Sequence, residues 1–165
     1  MVISINFIWS FFENAVKAYR RNPKDFEELK FDFSSRLKFI KETKFQLFTS
    51  NVAKAEVFKK LISDLTTTKE LAITSWDRFV ELLSATELFI ENTDFNEIAE
   101  LSLVAPSKRG TMQSLIQLQF AKAKKLKFVT GDMKIKEYFS NYYTGILTYI
   151  NLRQLYDASF PQQPS

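Results

Sequence analysis

The stretch 126-LKFVTGDMKIKEYF-139 decides how this chain is read. Its apolar run from Leu126 to Val129 ends at Thr130-Gly131-Asp132, and a helical pattern then resumes. A short apolar run closed by a glycine-containing turn predicts a buried strand, and an acid just ahead of a helical pattern predicts an N-cap at Asp132. The chain of 165 residues has only three glycines, so one placed here marks a sharp turn out of the strand. The stretch therefore sets a carboxylate at the carboxyl end of a strand, the edge where α/β sheets usually keep their chemistry.

Working outward, a helix is expected over 111–125, with Met112, Leu115, Ile116, Phe120 and Ala123 on its inner face. The loop Pro106-Ser107-Lys108-Arg109-Gly110 precedes it. After the turn the pattern predicts a helix to about residue 141, a last strand over 145–149 and a short helix through 155. Toward the amino end, Val2-Ile3-Ser4-Ile5 reads as a strand leading through Asn6 into a helix that Asn22-Pro23 breaks. A second helical pattern runs over 24–41, a strand-like segment over 45–48, and Thr49-Ser50 can cap a helix over 51–65. Thr66-Thr67-Thr68 reads as a linker, Thr74-Ser75 as the start of a helix, 88–90 as a strand and 94–104 as a helix stopped by Pro106. Alternation of this kind predicts a mainly parallel sheet, roughly five-stranded and covered by helices on both faces. One domain over 1–159 is expected, with a flexible tail over 160–165.

The composition excludes whole classes of chemistry. With no Cys and no His there is no disulfide, no thiolate or imidazole metal site and no histidine acid-base scheme. Catalysis would rest on carboxylates, lysines or hydroxyls, with a hard ion such as Mg²⁺ or Mn²⁺. Three scattered glycines cannot make a phosphate-cradling loop, which disfavours P-loop and Rossmann nucleotide binding. The net charge of +4 permits a polyanionic partner without requiring one. No apolar run reaches the roughly 18 residues of a membrane span, and MVISINF lacks the marks of a signal peptide. The expectation is a soluble cytoplasmic protein with no membrane partner.

Four segments in order, VISINFIWSFF, FTSNVAKAEVFKKL, TMQSLIQLQFAKAKKLKFVTGD and GILTY, resemble the PIN domain, the nuclease fold of VapC-type toxins. The resemblance spans about the whole chain, and AKAKKLKFVTGD is its most specific part. It implies a PIN-like three-layer α/β/α domain and a VapC-like endoribonuclease that hydrolyses RNA phosphodiesters with Mg²⁺ or Mn²⁺. Carried over by position, Glu56 and Asp132 are the metal ligands, with Asn6 and Thr130 as polar support. The family's other two acids fall on Ser4 and Gln113, so two of four carboxylates are replaced. Clustered carboxylates hold ions about 3.5 to 4 Å apart in such enzymes, and neutral Ser and Gln cannot replace the charge. The implied activity is therefore weakened or lost, and the alternative is a catalytically inactive PIN-like module that binds RNA or a protein. An antitoxin-like partner and a homodimer are further implications. Asp94 and Glu137 are the acids that could rebuild the cluster.

Each residue also has a plainer reading. Asp132 can be a helix cap alone. Glu56 stands four residues before Lys60, the spacing of an exposed helix ion pair. Gln113 is ordinary in a first helical turn, and Asn6 can cap the first helix. Lys122, Lys124, Lys125 and Lys127 read first as a solvated face. In the PIN-like reading Lys134 and Lys136 flank the cleft and Lys108 and Arg109 occupy the loop leading to the Gln113 helix, where they would follow the phosphates of single-stranded or structured RNA. A response-regulator domain is disfavoured, because Ser4-Ile5-Asn6 and Phe48-Thr49-Ser50 lack its acids.

Overall fold

The computed structural model describes residues 1–22, 35–43, 45–104 and 112–159. Five strands, β1 (Val2–Ile3), β2 (Phe48–Ser50), β3 (Thr86–Leu88), β4 (Phe128–Val129) and β5 (Ile146–Leu147), form one sheet in the order β3-β2-β1-β4-β5. All four neighbouring pairs are parallel. The helices among the described residues are α1 (Ile5–Arg21), α2 (Ser35–Glu42), α3 (Asn51–Ser63), α4 (Lys69–Leu83), α5 (Phe95–Val104), α6 (Met112–Ala123), α7 (Met133–Phe139) and α8 (Tyr149–Ser159). This is the three-layer α/β/α, PIN-like class expected from the sequence.

Two-residue strands suffice because successive strand residues face opposite sides of a sheet. Val2, Phe128 and Ile146 lie in one register row and pack with Ile98 and Leu101 of α5, Leu115 and Leu118 of α6, and Ile135 and Phe139 of α7. The next row, Ile3, Val129 and Leu147, packs on the other face with α1, α2, α3, α4 and α8. Both faces are thus apolar, as a buried parallel sheet requires. Phenylalanines of α1 fill the second core: Phe12 stacks on Trp76 with centroids 6.1 Å apart and meets Phe11 edge to face at 5.3 Å. Phe11 and Phe12 of α1 are therefore packing residues.

Several boundaries move. The second strand sits three residues later than expected, because pairing of Val2 with Phe48 and of Ser50 with Leu88 draws buried Thr49 and Ser50 into the ladder despite their polarity. The helix expected from Thr74-Ser75 starts at Lys69, capped by the Thr68 hydroxyl, which accepts from Leu71 N at 3.2 Å. Ser4, in extended conformation, holds the N-cap position of α1, so Asn6 lies inside the first turn and is not the cap. Of the expected 24–41 helix, residues 24–34 lie outside the described residues, as do the loop carrying Lys108 and Arg109 and the tail over 160–165. No described helix is long and apolar enough to cross a membrane.

Candidate functional site at the carboxyl edge of the sheet

The chain leaves β1 for β2 on one side and later places β4 on the other, so the strand order switches at β1. A crevice outside the carboxyl ends of the strands at such a point is where open α/β sheets bind ligands. The residues that follow the central strands are Ser4 after β1, Asn51 after β2 and Thr130 after β4. Helix α3 starts at this edge. Helix α6 also begins here, because its far end feeds β4 from the opposite side. The two helices belong to different faces yet touch one another.

The Thr130-Gly131-Asp132 turn is built as the sequence suggests. Thr130 is fully buried, and its N–H donates to Leu147 O at 2.9 Å. Its hydroxyl oxygen accepts from Asp132 N at 3.1 Å, and Asp132 Oδ1 accepts from Lys134 N at 2.9 Å. Asp132 is therefore the N-cap of α7, which satisfies one of the donors a helix start leaves open. Ser4 is fully buried beside this turn, its N–H donating to Val129 O at 2.9 Å. Its hydroxyl has no protein partner.

Glu56 departs from its plainer reading. Its Oε1 does lie 3.6 Å from Lys60 Nζ, but the side chain is only 6% exposed and Oε2 has no hydrogen-bond partner. Burial pushes the carboxyl above its ordinary range, and Lys60 and Lys59 offset this only in part. Lys60 is shared, since its ammonium also sits 5.3 Å from the centre of the Trp9 ring. Gln113 is half-buried in the first turn of α6, and its carbonyl accepts from Gln117 Nε2 at 3.2 Å. Gln117 was not singled out by sequence reasoning. It is fully buried, with Oε1 unpartnered, and its only prior signal is the four-residue spacing from Gln113. Thr49 Oγ1, in the middle of β2, is another buried oxygen without a partner.

The remaining candidates disperse. Asp94 caps α5, accepting from Asn96 N at 3.0 Å and Glu97 N at 3.2 Å. Gln119 clamps its backbone, accepting from Asp94 N at 3.2 Å and donating to Asp94 O at 3.0 Å. That holds Asp94 against the second half of α6, away from Gln113. Glu137 lies exposed on α7. Lys134 is exposed beside Asp132, whereas Lys136 is half-buried and bonded to Asn151 Oδ1. Asn151 Oδ1 also accepts from Thr148 N at 3.2 Å while Asn151 N donates to the Thr148 hydroxyl at 3.4 Å, a reciprocal cap for α8 that the Thr-x-x-Asn spacing could have signalled.

As arranged, these residues fit a divalent ion poorly. Among the described residues no three acids gather at one point. The buried carboxyl of Glu56 is biased toward its neutral form, and Ser4 and Gln117 offer uncharged oxygens. Mg²⁺ needs negatively charged oxygens to offset the cost of dehydration.

What the fold defines is an α/β domain with one parallel sheet covered on both faces and a polar, acid-poor switch point. No family model, curated protein or solved structure matches the chain.

Proposed function

We propose that this chain is a PIN-like module of the VapC-like ribonuclease class whose nuclease centre is reduced, and that it holds RNA without metal-dependent cleavage. One observation carries the reading: the central strand is followed by Ser4, a fully buried neutral side chain, where the resemblance places an acid. Lys134, exposed next to the Asp132 turn, is a described cation that can meet a phosphate there. Lys136 would first have to leave Asn151. Because phosphate contacts release counterions, RNA binding weakens steeply as salt rises. An antitoxin-like protein partner and a homodimer belong to this proposal through the same resemblance.

The second reading is a weak endoribonuclease using Glu56 and Asp132 with Mg²⁺ or Mn²⁺, favoured by the intact Thr130-Gly131-Asp132 turn at the switch point. The test is binding and cleavage of a mixed-sequence single-stranded RNA with each ion, by the native chain, Asp132→Asn and Ser4→Asp/Gln113→Asp. Asparagine is also a good N-cap, so Asp132→Asn removes the charge at little cost in stability. The expected result is binding without cleavage in the native chain and Mn²⁺-dependent cleavage only in the double variant. Cleavage by the native chain that Asp132→Asn abolishes would establish the second reading instead.

A further inference from the structure

At the opposite, amino-terminal edge of the sheet lies a groove of about 420 Å³, within the size range of small-ligand sites. Its apolar lining includes Phe45, Leu126, Leu147, Leu152 and Leu155. The floor reaches the core, since Leu152 is 1% exposed and Leu147 8%. The charged side chains among the described lining residues are Lys125 and Lys127, both exposed. No acid stands among them, so the described rim is cationic. Lys122, the neighbouring lysine on α6, is instead held by Glu97 at 3.1 Å.

We propose that this groove binds a single-chain anionic amphiphile, its hydrocarbon among the leucines and its carboxylate against Lys125 and Lys127. Charge complementarity selects the head and the leucine-lined floor selects the tail. An amphipathic helix from a partner would need a longer, shallower apolar strip. A nucleotide would need polar groups placed to read a base, and Gln46 is the one amide among these residues. The site is independent of the carboxyl edge and of the RNA reading.

The test is titration of the intact chain with decanoate below its micellar concentration, followed by calorimetry. Decanol and decyltrimethylammonium serve as neutral and cationic probes of the same chain length. Saturable binding of decanoate is expected, with each control about tenfold weaker or worse. Lys125 has φ of 55°, which asparagine tolerates well, so Lys125→Asn/Lys127→Gln should fold normally and weaken decanoate by about tenfold. Leu155→Trp, at a half-exposed position on the wall, should block binding while circular dichroism stays native. Equal affinity for the three probes, indifference to the lysine substitutions, or no saturation would each overturn the proposal. A decanoate affinity that falls as protein concentration rises would assign the groove to a second copy of the chain and also overturn it.

Discussion

Glu56 is a carboxyl group in a place that disfavours its charge. Burial raises its pKa above the ordinary 4.5, so the folded chain holds the proton to higher pH than the unfolded chain does. Stability must then fall as pH rises from about 4.5 through the raised value, and stay reduced above it. Glu56→Gln, uncharged throughout, should therefore be more stable than the native chain at about pH 7, with the gap closing by about pH 4. Urea unfolding at both values checks this, and a gap of equal size at both would refute it. The raised pKa could not be read from sequence, because Glu56-x-x-x-Lys60 has the spacing of a solvated pair. Helix α3 packs among α1, α4 and α6, tertiary neighbours that no local spacing reveals. The Asp132 cap, by contrast, was legible, because its bonds reach only to neighbours in the chain.

Glu97 ties three elements together. Its carboxylate accepts from Gln119 at 2.6 Å, Lys122 at 3.1 Å and Tyr142 at 2.8 Å, joining α5 to α6 and to the segment after α7. Burial alone would raise its pKa, but the hydrogen bonds from Gln119, Tyr142 and Lys122 win and lower it. The stabilisation is present above the ordinary value of 4.5 and is lost as pH falls through the lowered one. Glu97→Ala should cost roughly 1 to 3 kcal/mol at neutral pH and flatten the acid limb of the stability curve. Thermal unfolding across the acid range measures both, and a variant with an unchanged acid limb would show that the contacts carry no weight. Gly145 makes a related contribution at the start of β5, where a Cβ would overlap the Tyr143 ring while the Tyr143 hydroxyl bonds Leu126 O at 2.8 Å. Element order was visible in the sequence; element ends were not. Thr68 rather than Thr74 starts α4, since both offer a hydroxyl and only three-dimensional packing selects between them.

The whole molecule depends on a sheet whose strands β1, β4 and β5 are very short but buried on both sides. Phe128→Ala on one face should cost about 3 to 5 kcal/mol and Ile3→Ala on the other about 2 to 5 kcal/mol. Ile62→Ala, at a site 43% exposed, should stay within about 0.5 kcal/mol. Denaturant midpoints decide the matter, and a cheap loss at either Phe128 or Ile3 would mean that one face of the sheet is not a core. By itself the sequence determined the α/β class, the parallel sheet and the capped turn at Asp132. Those follow from hydrophobic period, chain order and contacts only a few residues long. Tertiary structure alone decided that Ser4 and Gln117 bury neutral oxygens without partners, that Asp94 is held against the second half of α6, and that Lys125 and Lys127 rim a groove at the opposite edge. The physical reason is that charge, burial and groove shape at a sheet edge are set by residues distant in the chain, which no local pattern brings together.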